Sequence, residues 1–232
     1  MDLVVDVVIP ARNEERSLPY VLAAVPRPPV RRVVVCDNAS ADGTARAAAA
    51  GGAEVVSESR PGYGSACLRA LAHLRQHDPP DVVVFLDADF SDHPEELPWL
   101  LSPIAAGAAD LVIGSRILGR RERGALLPQA RAGNLVACWL IRLLYGHRYT
   151  DLGPFRAIAW PALERLGMRD PDFGWTAEMQ VKALRRGLRV SEVPVSYRRR
   201  VGVSKITGTL SGTLRAGVKI LWMVLRYSRP ER

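Results

Sequence analysis

An α/β domain on a mostly parallel sheet flanked by helices is the fold class this sequence predicts. Three observations carry it. Short β-branched runs alternate with helical patterns through the first half of the chain, which is how βαβ units read. The 232 residues, 48% apolar and 24% charged, suffice for one sizeable core and exclude wholesale disorder. No repeat or low-complexity linker interrupts them, so the chain reads as one continuous domain ending in a basic helix.

The elements follow in order. LVVDVVI (3–9) is a buried-type strand, and Leu18, Val21, Leu22 and Val25 then fall at helical spacing. RRVVVCD (31–37) is the second strand, followed by an Ala-rich helix over 42–51 that Gly51 and Gly52 stop. AEVVSE (53–58) is the third strand and 64–76 the third helix. DVVVFLDAD (81–89) is the strongest strand, followed by a helix from about Pro94 to Ala106, and ADLVIGSR (109–116) is the fifth. Beyond Arg116 the rhythm breaks: 117–129 reads as a mobile polar loop, 134–146 as a strongly apolar helix and 175–187 as a helix stopped by Gly187. Residues 188–200 read as a strand, and 207–232 as a helix with Leu221, Trp222 and Leu225 towards one side.

Composition narrows the function. No apolar run reaches the ~18–20 residues a membrane span needs, and the acidic start MDLVVDVVIPARNEE is unlike a secretory signal. Three dispersed cysteines, Cys36, Cys67 and Cys138, argue against a disulfide framework or zinc site and fit a reducing cytosol. The net charge of +8 is uneven: from Lys182 onward 13 Lys and Arg face two acids. Such a basic quarter suits an anionic partner. A nucleic-acid module or aromatic interleaving is missing, so nucleic acid is not the expected partner.

Polar clusters fall after the strands, where ligands bind on such sheets. They are Pro10-Ala11-Arg12-Asn13-Glu14, the stretch from Asp37 to Thr44, Asp87-Ala88-Asp89 with Ser91 and Asp92, and Gly114-Ser115-Arg116. Asp42 reads as a helix cap. Asp87 and Asp89 are harder to explain structurally, because two carboxylates two apart repel and need a cation or donors. Mg²⁺ or Mn²⁺ is the usual hard cation for holding a diphosphate.

The order and spacing of these clusters resemble the family 2 glycosyltransferases of the GT-A fold. VVIPARNEERSL looks like that family's opening strand and nucleotide loop, VVVCDNASADGT like its second-strand motif, and VVVFLDADFSDHPEELP like its DxD strand. Ala39 stands where the motif usually has Gly, which suggests a less tight turn. GSRILG, TDLGPFRA, FGWTAEMQVKA and YRRRVGVSKITGT are similar to the dolichyl-phosphate mannose synthase-like and polyprenyl-phosphate glucosyltransferase enzymes. The resemblance covers about 4–206, giving a catalytic domain over 1–206 and a basic amphipathic helix over 207–232.

The resemblance implies inverting transfer of a hexose from a UDP- or GDP-linked sugar to a polyprenyl phosphate, dependent on Mg²⁺ or Mn²⁺. It implies that Pro10, Arg12, Glu14 and Asp37 line the nucleotide pocket. Asp87 and Ala88 then sit at the donor, Asp89 ligates the metal, and Ser91 completes the shell. Arg116, Arg199 and Lys205 are candidates for the cationic clamp on the leaving diphosphate. Arg131, Arg156, Arg198 and Arg199 are candidates for gripping an acceptor phosphate, with Trp175 at the acceptor mouth. Glu178 would be the base for a hydroxyl acceptor, or a helix-surface acid paired with Lys182 four residues on. The tail, with Arg215, Lys219 and Arg226, suits an interfacial helix at the cytosolic face of an anionic membrane, or packs as ordinary core. A soluble hydroxyl acceptor and a non-catalytic nucleotide-sugar binding module are the alternatives.

Overall fold

The computed structural model of the protein describes residues 3–202 and 210–228. Its centre is a seven-stranded sheet of order β3-β2-β1-β4-β6-β5-β7. The strands are β1 (Val5–Ala11), β2 (Val30–Asp37), β3 (Glu54–Ser57), β4 (Val82–Phe85), β5 (Leu111–Ser115), β6 (Arg156–Ala159) and β7 (Val190–Pro194). β6 runs antiparallel to β4 and β5, while the other pairings are parallel.

The helices are α1 (Leu18–Ala24), α2 (Thr44–Ala50), α3 (Tyr63–Gln76), α4 (Leu97–Ala105), α5 (Pro128–Tyr145), α6 (Trp160–Leu166), α7 (Trp175–Arg185) and α8 (Leu210–Arg226), with a 3-10 turn over Pro94–Glu96. They cover both faces of the sheet, so its inner strands β1, β4 and β5 are largely apolar rather than alternating with polar residues. Alternate residues serve the two cores. Val83 and Phe85 of β4 join Leu71, Leu74, Trp175 and Met179 on one face, and Val82 and Val84 join Leu18, Val21, Leu97 and Leu100 on the other. The acid inside β1 is also accounted for. Asp6, fully buried, takes Arg31 and Arg32 of adjacent β2, each at 2.8 Å.

Two elements were not foreseen. β6 is four residues, RAIA, and α6 follows it directly; neither is long enough to show a period. Pairing on both sides makes β6 a central strand. The helix expected at 134–146 starts earlier, at Pro128, with proline in the first turn where its missing N–H costs nothing. β7 stops at Pro194, short of the strand expected to residue 200. The chain then turns back over the sheet end, where Tyr197 bridges to Asp92 and Arg121.

Candidate active site

Two adjoining cavities occupy the carboxyl end of the sheet. The first, 860 Å³, is lined by Pro10, Ala11 and Arg12 after β1, Asn38 after β2, Gly62 and Tyr63, and Arg215, Val218, Lys219 and Trp222 of α8. The loops around it are tied to one another. Asn38 donates to the carbonyls of Glu58 and Arg60 at 3.2 and 2.7 Å and accepts from Gly62 N at 2.7 Å. Glu14 N donates to Thr44 Oγ1 at 2.8 Å, and Glu14 Oε2 accepts from Ser17. Asp42 accepts from Thr44 N at 3.0 Å, but the N-cap of α2 is Gly43, so the expected cap residue sits one position too early. Asp37 ends β2 with one carboxylate oxygen buried and unpaired, although its neighbour Asn38, not Asp37, lines the cavity. Gly62 allows a close backbone approach within the chain: a Cβ there would meet the Pro171 carbonyl at 2.2 Å.

Ala39 corrects an expectation. It holds φ +54°, so the turn is as tight as a glycine would make it and the alanine is strained instead. Ala39→Gly should stabilise the protein by about 1 kcal/mol, read as a rise of ~2–4 °C in Tm.

Asp87 and Asp89 follow β4 in a loop whose Phe90 has φ +61°. Asp89 Oδ1 accepts from Ser91 N at 2.9 Å and Ser91 Oγ at 2.5 Å, and Asp89 Oδ2 meets Arg200 Nη2 at 2.5 Å. Arg200 also lies 4.0 Å from Glu14. Asp87 Oδ1 is buried with no hydrogen-bond partner, as is the hydroxyl of Tyr63. Burial, and then the charge of Asp89, pushes the Asp87 carboxyl up to about 7. An orphaned carboxylate oxygen beside a second carboxylate fits a cation. Among the described residues no three ligating side chains converge, so a divalent ion held by Asp87 and Asp89 would draw its other ligands from a bound diphosphate and water.

The raised Asp87 value has a consequence for stability. Its carboxyl holds a proton in the folded state up to about pH 7 but loses it near pH 4 in the unfolded chain. Folded protein therefore binds the extra proton, and this contribution to stability is lost as pH rises from about 4 to about 7. In EDTA, Tm should fall across that range, and Asp87→Asn should flatten the fall.

The second cavity, 420 Å³, shares Tyr63 and Phe173 with the first. Asp87 and Arg116 line it, and much of the remaining wall is apolar: Leu126, Val136, Leu152, Trp175, Ile220 and Leu221. Arg116 is held by Asp151 through Nε at 2.8 Å and Nη2 at 2.8 Å, a fork that burial strengthens. Asp151, in TDLGPF, is therefore the residue that positions this arginine.

Several expected site residues are placed otherwise. Arg199 is exposed and turned away, its Nε donating to the Arg123 carbonyl at 2.8 Å. Side chains alternate along extended chain, so Arg198 and Arg200 face the acidic loop and Arg199 does not. Arg198 stacks on Phe90, 3.6 Å from the ring centroid, and donates to the Asp92 carbonyl. Arg156 is buried in β6, its Nη atoms donating to the carbonyls of Thr176, Leu152 and Gly153, which leaves no free fork for an acceptor phosphate. Arg131 lines neither of these cavities but a third one on the opposite flank of α5. Trp175 is in the wall of the second cavity, yet it is core, edge-on to Phe85. Lys205 lies outside the described residues.

Glu178 is 0% exposed and lines no cavity. Its carboxylate accepts from Arg169 N, Asp170 N and the Tyr227 hydroxyl at 2.7–3.1 Å and pairs with Lys182 at 2.6 Å. A group so enclosed has no route to an acceptor hydroxyl, so the base role does not hold; the pairing with Lys182 does, but buried inside the protein and not on the helix surface. Glu178→Gln leaves the Lys182 ammonium uncompensated inside the protein. It should cost about 3 kcal/mol of stability in a denaturant titration while changing kcat less than twofold.

The tail helix packs on the body. Ala216, Ile220, Met223 and Val224 join the core, Tyr145 donates to the Val224 carbonyl at 2.6 Å, and Lys219 pairs with Asp170 at 2.8 Å. Of its expected apolar side, Leu221 turns into the second cavity, while Trp222 and Leu225 stay exposed. No helix among the described residues is long and apolar enough to cross a membrane.

Arg200, Asp151 and Asn38 are the site residues the sequence reading did not single out. Arg200 was hidden in a run of three arginines, where only a strand register tells neighbours apart.

Known proteins agree with this geometry. The glycosyl transferase family 2 profile matches residues 6–157. An uncharacterised glycosyltransferase of Mycobacterium tuberculosis is 41% identical over 95% of this chain and 97% of its own. An undecaprenyl-phosphate mannosyltransferase of Micrococcus luteus is 32% identical over 94% of this chain and 96% of its own. A dolichyl-phosphate hexose transferase of Haloferax volcanii is 34% identical over 86% and 85%. Among solved structures, glucosyl-3-phosphoglycerate synthase from Mycobacterium tuberculosis, in complex with Mn²⁺, UDP and glucosyl-3-phosphoglycerate, superposes with a TM-score of 0.77 at 26% identity, covering 99% of this chain and 81% of that one. The sheet with its one reversed strand is the GT-A fold, and with the acidic pair closing β4 in a sequence of this ancestry, the chain belongs to glycosyl transferase family 2 and is a glycosyltransferase.

Proposed function

We propose that the protein transfers a hexose, with inversion, from a UDP- or GDP-linked sugar to a polyprenyl phosphate, working peripherally at the cytosolic face of the membrane. The observation that carries the acceptor is the second cavity. An apolar chamber with Asp87 and Arg116 in its wall suits a hydrocarbon chain ending in a phosphate. A small polar acceptor would leave that lining in contact with water or with its own polar groups.

The chain's own residues supply most of the chemistry. The nucleotide lies against Pro10, Arg12 and Asn38 in the first cavity. The acceptor phosphate is already anionic, so it attacks the anomeric carbon without a base, and the bond electrons leave with the nucleoside diphosphate. Arg200, on Asp89, is the guanidinium next to the departing group. Mg²⁺ or Mn²⁺ held by Asp87 and Asp89, when bound, supplies further positive charge for that diphosphate. Aromatic and apolar walls from Phe173 and Trp175 keep water from competing as the nucleophile.

A second reading keeps the donor and takes a soluble acceptor, as the solved glucosyl-3-phosphoglycerate synthase does in its complexes. A donor screen separates the two. Purified protein with Mn²⁺ is given UDP- and GDP-sugars together with either a short polyprenyl phosphate or 3-phosphoglycerate, and products are read by mass spectrometry. Glycosylated polyprenyl phosphate is expected. Turnover of phosphoglycerate with none of the lipid would overturn the proposal.

A further inference from the structure

The outer flank of α5 exposes a row of large apolar side chains between arginines. Arg131, Leu135, Trp139, Arg142 and Leu143 recur at steps of four, four, three and one residues, which places them on one side of the helix. Leu135 is 71%, Trp139 60% and Leu143 64% exposed. Beneath this ridge lies a third cavity of 570 Å³, lined by Arg131, Arg142 and Arg148 with Asn134, Cys138, Trp139 and Thr150 among others.

The three guanidiniums have no hydrogen-bond or ion-pair partner among the described residues, and no carboxylate lines the cavity. The acids behind it are committed: Glu192 accepts from Thr150 N, Thr150 Oγ1 and Asp151 N at 2.9–3.1 Å, and Asp151 holds Arg116. Unpaired cations ringing a hollow, beside an exposed tryptophan and leucines, are the combination that an anionic bilayer surface rewards.

We propose that this flank of α5 docks on the membrane, with Arg131, Arg142 and Arg148 receiving the phosphate of an anionic phospholipid while Trp139 and Leu135 enter the interface. The same helix lines the apolar second cavity with Gln129, Gly133, Val136 and Ala137. Docking through α5 therefore sets the bilayer beside the chamber assigned to the lipid acceptor. The location differs from the tail helix, which buries Met223 and Val224 in the core and leaves Trp222 and Leu225 exposed. A second copy of the chain is the poorer occupant, because a two-fold contact would set unpaired arginines against one another. The inference adds to the lipid-acceptor reading, but its test uses neither donor nor acceptor, so the two can fail separately.

The test is flotation with phosphatidylcholine vesicles, with and without about a third phosphatidylglycerol. Wild type should float with the anionic vesicles only and release as salt rises. Arg142→Glu with Arg148→Glu should weaken binding about thirtyfold or more, at ~1 kcal/mol per basic residue near the surface. Trp139→Ser should weaken it severalfold, and Arg226→Glu on α8 less than twofold. Should the glutamates prevent folding, judged by circular dichroism, Arg142→Gln with Arg148→Gln should still show the loss. Binding unchanged in these variants, equal binding to neutral vesicles, or a wild-type dimer in ultracentrifugation that Trp139→Ser dissociates would each overturn the proposal. In the last case the face would belong to a second copy.

Discussion

Asp89→Ala should lower glycosyl transfer by at least about 10³-fold. Three features of the site make the effect this large. The carboxylate is the anchor of the loop after β4, accepting from Ser91 through both N and Oγ. Its second oxygen orients Arg200 at 2.5 Å. It is also one of the two carboxylates available to a divalent ion. Alanine removes the ion's grip and the arginine's placement at once, and charge stabilisation of a departing diphosphate is the main demand of the reaction. Initial rates at saturating donor, with Tm and Mn²⁺-dependent UDP binding measured in parallel, check it. Asp89→Asn, which keeps the hydrogen bonds to Ser91, separates lost chemistry from a disordered loop: it should retain the wild-type Tm and still lose transfer. Turnover within tenfold of wild type in both variants would remove the basis of the mechanism.

Arg200→Ala should cost about 10²-fold in kcat, while Arg199→Ala should cost less than threefold. The contrast follows from direction alone. Arg200 reaches Asp89 and approaches Glu14, whereas Arg199 donates to the Arg123 carbonyl at the exposed side. Removing one preorganised cation from a developing charge typically loses that order of rate. Arg200→Lys keeps the charge without the fork and should recover part of the loss. Steady-state kinetics on the three variants, with Tm as a control, decide it. Equal losses at 199 and 200, or the reverse order, would show that the chain after Tyr197 is arranged differently when substrate is bound.

The sheet and its acidic pair were legible because both are local. Runs such as VVIP, VVVCD and VVVFLDAD are apolar on both faces, as a covered parallel sheet requires, and polar residues after their ends fall where strand ends converge. The short inserted strand β6 was not legible, since RAIA carries no period and its reversal comes from pairing between β4 and β5. Glu178 shows the same limit in a site. Its spacing to Lys182 could be read, but whether that pair faced water, substrate or core depended on Arg169, Asp170 and Tyr227, which only folding brings to it.

By itself the sequence determined the fold class, the family and the position of the acidic pair, because each follows from residues near one another in the chain. The tertiary structure alone decided which arginine of 198–200 faces Asp89, that Arg156 and Glu178 are internal supports, and that α8 closes the cavities while α5 presents its flank outward. Those outcomes turn on side-chain direction and on partners tens of residues away, and neither is encoded in local pattern.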